Sequence, residues 1–120
     1  MERVAVLGAS KKEDRYSYKA VDLLKKYGHK VYPINPVEKE ILDLEVFPSL
    51  GDLPESPDTL SLYVNPKLIE KVVDDIIKLN PKRVIFNPGT ESSSAMEKLK
   101  SSGITVIEGC TLIMLKTDQF

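Results

Sequence analysis

The chain has one cysteine, one histidine and almost no net charge. Its 120 residues include 17 basic and 18 acidic side chains, so the formal net charge is −1 at pH 7. This balance provides no overall positive field of the kind that attracts nucleic acid or an anionic membrane, and neither is expected as a partner. Cys110 and His29 are too few to form an internal disulfide or a Cys/His metal cluster.

Long apolar runs and a leader segment are also missing from the sequence. No stretch approaches the ~20 apolar residues that a membrane-spanning helix needs. The first residues pass directly into a strand-like segment, which is not the pattern of a signal peptide. These features, with the lone cysteine, predict a cytoplasmic protein. Hydrophobic residues at 42% and charged residues at 29% are typical of one globular domain, here residues 1–120.

Apolar strands alternate with amphipathic helices along the chain. This alternation predicts an α/β fold, a Rossmann-like, doubly wound parallel sheet of five strands in the order 3-2-1-4-5, with helices in the outer layers of an αβα sandwich. The first helix is expected to start at Ser17 as N-cap, and 108–120 holds an apolar patch that fits a strand or a helical turn. The predicted strands are 4–7, 29–34, 60–64, 83–86 and 104–107, and the predicted helices are 17–27, 66–80 and 91–102.

The first strand ends in a Gly-Ala-Ser turn at 8–10, shortly before the first helix. A strand, a tight turn and a helix N-terminus form the usual phosphate cradle of such domains, because Gly8 allows a close backbone approach and the helix N–H groups face an anion. Lys11, Lys12 and Arg15 follow closely and favour a ligand rich in phosphate. The alternative is an ordinary solvated loop face.

Two features of a nicotinamide dinucleotide site are absent. Such a site places Asp or Glu at the end of the second strand to bind the ribose hydroxyls, whereas this strand ends in Asn35-Pro36 and the next carboxylate is Glu38. The second and third glycines of the G-x-G-x-x-G pattern are replaced by Ser10 and Glu13. An NAD(P)-binding or other nucleotide-binding protein therefore stays as the second hypothesis.

Asn-Pro pairs follow three of the predicted strands. Ligands in doubly wound sheets bind at the carboxyl ends of the strands, which is where these pairs are expected to lie. Their side chains can bind a ligand, or they can serve as ordinary turns and helix caps, and both interpretations stay open. The pairs are Asn35-Pro36, Asn65-Pro66 and Asn87-Pro88.

Several separated motifs occur in an order that resembles a known family, the small stand-alone CoA-binding proteins. These proteins are related to the CoA-binding domain of the succinyl-CoA synthetase α subunit. The resemblance covers nearly the whole chain. The motifs are Gly8-Ala9-Ser10-x-Lys12-x-x-Arg15-x-Ser17, Val31-Tyr32-Pro33-Ile34-Asn35-Pro36, Phe47-Pro48-Ser49-Leu50, the helix start at Pro66, Gly89-x-Glu91 and Cys110.

The resemblance implies binding of coenzyme A or an acyl-CoA at the carboxyl ends of the strands. It implies that the pyrophosphate is cradled by Gly8, Ala9 and Ser10. It implies that the phosphate charge, including the 3′-phosphate, is met by Lys12 and Arg15, and that the facing helix is capped by Ser17. It implies that the adenosine is bordered by Asn35 and Pro36. The other side of the groove is implied to be lined by Val64, Asn65, Pro66 and Lys67.

No catalytic constellation is visible, since the sequence has neither a Ser-His-Asp set nor an obvious carboxylate pair. The first hypothesis is accordingly a CoA-binding module that is non-catalytic by itself, with a regulatory role left open. The third hypothesis is an interaction subunit that docks through Leu112–Phe120; a protein partner or a homo-oligomer fits either. Cys110 is interpreted as a small buried hydrophobe or as a thiol near the thiol end of CoA that forms a mixed disulfide.

Overall fold

The computed structural model of the protein, which describes residues 1–120, is built around a five-stranded parallel sheet. The predicted α/β Rossmann-like fold is confirmed. The sheet strands are β1 (Arg3–Leu7), β2 (Lys30–Ile34), β5 (Thr59–Leu62), β6 (Arg83–Phe86) and β7 (Thr105–Glu108). The helices are α1 (Tyr16–Lys26), α2 (Pro66–Leu79), α3 (Ser93–Ser101) and α4 (Thr111–Lys116). The long connection from β2 to β5 holds the antiparallel pair β3 (Glu40–Ile41) and β4 (Leu44–Glu45) and a 3₁₀ turn at Leu50–Asp52.

The strand order is β2-β1-β5-β6-β7, and every neighbouring pair is parallel. Phe47 bridges in parallel to Ile34 on the outer edge of β2, and when this segment is counted as the third strand the order is 3-2-1-4-5-6, which contains the predicted 3-2-1-4-5. Its N–H donates to Pro33 O at 2.9 Å and its carbonyl accepts from Asn35 N at 3.0 Å. The strand predicted at 60–64 thus takes fourth place, directly beside β1.

Helices cover both faces of the sheet and bury two apolar clusters. In β1, Val4 and Val6 point into the cluster under α1, whereas Ala5 points into the one under α2 and α3. Successive strand residues face opposite sides of a sheet, so a strand that is covered on both sides is apolar at every position. None of the helices is both long and apolar enough to cross a membrane.

Side-chain hydrogen bonds cap the starts of two of the four helices, α2 and α3. Asn65 caps α2 as predicted, because its Oδ1 accepts the N–H of Leu68 at 2.9 Å. The prediction that Ser17 caps α1 is wrong: Arg15 is the extended residue before the helix, and Ser17 lies buried within its first turn. Because Arg15 makes no side-chain capping bond, the first N–H groups of α1 have no cap from the protein. The apolar patch at 108–120 forms the helix α4.

A buried asparagine joins β5, β6 and α4 at the carboxyl edge of the sheet. Asn87, 1% exposed, donates through Nδ2 to Ser61 Oγ at 2.9 Å and to Leu62 O at 2.8 Å. Its Oδ1 accepts the N–H of Thr111 at 2.8 Å. This side chain therefore holds the fold together at that edge and is not free for a ligand.

Replacing Asn87 is expected to be costly. Asn87→Ala leaves buried partners unpaired, including the N–H of Thr111, and an unpaired buried group costs about 1–3 kcal/mol. We expect the free energy of unfolding to fall by about 3 kcal/mol or more, measured by urea denaturation. The control Asn65→Ala removes one exposed cap bond and should cost about 1 kcal/mol. Equal losses in the two variants would contradict this role of Asn87.

At the opposite, amino edge, Glu55 accepts hydrogen bonds from Tyr32 Oη, from Arg3 Nη1 at 2.8 Å and from Lys30 Nζ at 3.2 Å. These donors, Tyr32 first, lower the pKa of Glu55 from the ordinary 4.5 to about 2. A carboxyl whose pKa is lowered by folding stabilises the fold above its unfolded pKa, and this contribution is lost as the pH falls toward the folded pKa.

The pH dependence of stability tests this link. Glu55→Gln should be less stable than the wild type at pH 7 and should lose less stability between pH 7 and pH 3, because it no longer titrates. Urea denaturation at the two pH values measures both effects. An unchanged pH dependence in the variant would show that Glu55 does not carry it.

Candidate functional site

Two cavities meet at Gly8, at the carboxyl end of β1. The strand order reverses here between β1 and β5, which is where doubly wound sheets bind ligands. The basic lobe, about 290 Å³, is lined by Gly8, Ser10, Lys12, Arg15, Tyr16, Ser17 and Tyr63. The apolar lobe, about 350 Å³, is lined by Leu7, Gly8, Ile34, Pro36, Pro48, Ser49, Leu50, Gly51, Val64, Leu68, Val72 and Asp75.

At Gly8 the chain passes so close to Tyr63 and Val64 that no residue with a side chain fits there. Its φ is +89°, and a Cβ placed on it would lie 2.8 Å from both Tyr63 O and Val64 Cγ1. The N–H groups of Gly8 and Ala9 both donate to Ile34 O at 3.1 Å. These two amides tie the turn to β2, whereas no backbone acceptor engages the N–H groups of Ser10 and Lys11.

A matched pair of glycine substitutions tests the crossing. Gly89 has a similar φ of +91°, but a Cβ there meets nothing within 4 Å. Both Gly→Ala changes carry the strain of positive φ, about 1–2 kcal/mol, and Gly8→Ala adds overpacking of about 1–3 kcal/mol. Urea denaturation should therefore rank Gly8→Ala clearly below Gly89→Ala. Equal stability of the two variants would contradict the close crossing.

The basic lobe carries two cations without a carboxylate partner. Lys11 pairs with Glu38 at 3.5 Å, but no acidic group lies within 4.0 Å of the charged atoms of Lys12 or Arg15, and both side chains are exposed. The loop is turned toward α1 by bonds from Lys12 N to Ser10 Oγ at 3.0 Å and from Arg15 N to Lys12 O at 3.0 Å. Free cations beside an uncapped helix start form a site suited to an anion.

Tyr63 forms the wall of the basic lobe that faces the sheet. Its hydroxyl is buried and makes no hydrogen bond, and the hydroxyls of Ser61 and Thr111 bond each other at 2.8 Å. Burial raises the pKa of Tyr63 to about 12, and the nearby Cys110 acts in the same direction. The hydroxyl therefore stays protonated near neutral pH. Cys110 itself is half-buried at the N-cap of α4.

The apolar lobe lies between α2 and the segment that follows Phe47. Leu68 and Val72 of α2 line this cavity, and Pro36 and Pro48 line it as well. Leu68 is 40% exposed although it is a large apolar residue. An apolar cavity of this kind, open beside a basic one, suits a ligand with a flat apolar group and an anionic group.

Residues 2–116 match the family described as the CoA binding domain. The chain belongs to this family. It is 28% identical over 127 residues to the ADP-forming acetate–CoA ligase II of Archaeoglobus fulgidus, covering 96% of this chain and 19% of the ligase. It is 32% identical over 83 residues to the ADP-forming acetate–CoA ligase of Methanocaldococcus jannaschii, covering 69% of this chain and 12% of that enzyme. The chain thus spans a fifth or less of these relatives' length.

A solved structure of similar size has the same fold. This uncharacterized protein superposes with a TM-score of 0.94 at 38% sequence identity. The match covers 100% of this chain and 98% of the other. The domain therefore occurs both as a part of long ligases and as a chain of about this length.

The structure brings most of the residues implied for CoA to the two lobes of this CoA-binding-domain protein. Others lie behind or beside them: Asn35 donates to Ala9 O at 2.8 Å and accepts from Val37 N at 2.7 Å, so it supports the turn. Asn65, Pro66 and Lys67 form the start of α2 and do not line either lobe. The implied residues that do line a lobe are Gly8, Ser10, Lys12, Arg15, Ser17, Pro36 and Val64.

Sequence reasoning missed the contribution of α2 to the cleft. The apolar residues of this helix have two different surroundings, because Leu68 and Val72 line the apolar lobe whereas Ile69 and Ile76 are buried. The signal was the width of the apolar face, which exceeds the stripe that one core contact needs. Tyr16 and Tyr63 were also missed, because an aromatic residue near a strand end has no distinctive pattern.

Proposed function

We propose that this domain binds coenzyme A or an acyl-CoA across the two lobes, with the phosphates in the basic lobe and the adenosine in the apolar lobe. The observation that carries the proposal is the position of Gly8, which lines both cavities. A ligand whose apolar base and phosphates are joined can occupy both only by passing this residue. Family membership supports the choice of CoA over other nucleotides.

The charges of the basic lobe support phosphate binding. Lys12 and Arg15 lie at the cavity without acidic partners, so a ligand phosphate does not have to displace an existing ion pair. Hydrogen bonds from such cations to phosphate are charge-assisted and stronger than neutral ones. Gly8 and Ala9 shape the turn, and Ser10, whose backbone N–H has no backbone acceptor, lines the same cavity. The pyrophosphate and the 3′-phosphate of CoA match this set.

The walls of the apolar lobe support an adenosine there. Pro36, which the family resemblance implies beside the adenosine, and Val64, which it implies on the other side of the groove, both line this lobe. Leu68 offers further apolar surface that is partly open to solvent. Burying apolar area contributes about 25 cal/mol per Å², so a base placed here adds affinity that phosphate contacts alone do not provide.

We infer that this single domain, residues 1–120, binds the ligand without catalysing a reaction by itself. The ionisable groups at the basic lobe are two cations and two tyrosines, and Tyr63 keeps its proton because its pKa is about 12. The cations can hold an anion, and the Tyr63 hydroxyl, which keeps its proton, does not serve as a base. A role in sensing or presenting CoA within the cell, regulatory in kind, is consistent with this chemistry.

Binding measurements on charge variants test the basic lobe. Lys12→Ala and Arg15→Ala should each weaken CoA binding about tenfold, since a hydrogen bond to a charged group contributes about 1.5–3 kcal/mol. Isothermal titration calorimetry measures the dissociation constants. Lys100→Ala removes an exposed lysine on α3 and should bind CoA like the wild type. A residue that contacts the 3′-phosphate should matter less when the ligand is 3′-dephospho-CoA.

Thermal unfolding with a ligand panel tests the choice of ligand. CoA at 100 times its dissociation constant should stabilise the domain by ~2.7 kcal/mol, a shift of several degrees at this size. NAD and NADP should give smaller shifts because β2 ends without an acidic residue for the ribose hydroxyls. A shift with NAD alone would favour the nucleotide-binding alternative, and no shift with any ligand would favour the interaction subunit.

A further inference from the structure

One charged residue lines the otherwise uncharged apolar lobe. Asp75 lies on α2 in line with Leu68 and Val72, since residues seven and three positions apart share one face of a helix. Ser49 also lines this lobe, but its hydroxyl donates to Asp52 at 2.7 Å. Asp75 is exposed, and its carboxylate makes no ion pair or side-chain hydrogen bond, so its oxygens are free to accept.

The neighbouring residue Asp74 shows that this freedom is specific to one position. Asp74 pairs with Lys98 of α3 at 2.6 Å and does not line the cleft. Adjacent helix positions point about 100° apart, which sends one carboxylate to a neighbouring helix and the other to the cavity. The two residues therefore have the same charge and helical context but different surroundings.

We propose that Asp75 selects a 6-aminopurine in the apolar lobe by accepting a hydrogen bond from its exocyclic amino group. The inference rests on the proposed function, in which the base of the ligand occupies this lobe. A carboxylate only accepts hydrogen bonds, so the group that faces it must be a donor. Adenine offers an amino group at this position of the ring, whereas hypoxanthine offers a carbonyl oxygen that the carboxylate repels.

The same charge orients the ligand. Lys12 and Arg15 attract phosphate on one side of Gly8, and Asp75 repels phosphate on the other. A nucleotide that entered in reverse would place its anionic groups beside a carboxylate and its base beside two cations. The cleft is thus charged so that one orientation is favoured.

The test compares CoA with its analogue in which hypoxanthine replaces adenine. Dissociation constants are measured by isothermal titration calorimetry for the wild type, Asp75→Asn, Asp75→Leu and the matched control Asp74→Asn. We expect the wild type and Asp74→Asn to favour CoA by about tenfold or more. Asp75→Leu should lose this preference to within about twofold. Asp75→Asn should bind both ligands, since an amide can accept from an amino group or donate to a carbonyl.

The outcomes separate this inference from the proposed function. If the wild type binds CoA and Asp75→Leu keeps the full preference for adenine, CoA binding stands and the role of Asp75 is overturned. If the wild type binds neither CoA nor the analogue, both the proposed function and this inference are overturned. Loss of preference in Asp74→Asn as well would assign the effect to the charge of α2 in general and would overturn the specific contact.

Discussion

The close approach of β1 to the start of the loop after β5 is the constraint on which the carboxyl edge of the sheet depends. Gly8 permits it, because a side chain there would collide with the carbonyl oxygen of Tyr63 and with Val64. The same residue is the meeting point of the basic and apolar lobes. Sheet pairing and cavity shape therefore both depend on this one backbone position, and a side chain added there would alter both.

The polar residues around this position are of two kinds, those bonded within the protein and those without a partner. Asn35 and Asn87 have their side-chain groups bonded within the protein, to the turn and to the β5, β6 and α4 ends. Lys12 and Arg15 are exposed and free of ion pairs. A satisfied polar group stabilises the fold, whereas an unsatisfied one beside a cavity has bonding capacity left for a ligand. This difference distinguishes framework from site among residues that look alike in the sequence.

The sequence predicted most of the fold and a smaller part of the cleft. The strand and helix order followed from apolar periodicity, and the Asn65 cap from local chemistry, because both depend on neighbours in the chain. The start of α1 was missed: Ser17 has the side chain of a cap, but the extended residue before the helix is Arg15 and Ser17 lies buried in the first turn. The edge position of Phe47 was also missed, since its pairing with Ile34 is a long-range contact inside an irregular segment.

By itself the sequence determined the fold class, the glycine turn and the cations that follow it, because each is written in adjacent residues. Only the tertiary structure decided which groups share a cavity. It placed Leu68 and Asp75 of α2 in one cavity with Pro36, and it gave Asp75 surroundings that differ from those of the paired Asp74. The physical reason is that a site is an arrangement in space of residues far apart in the chain. Which of their polar groups are left to bind a ligand is known only when the hydrogen bonds made within the folded protein are known.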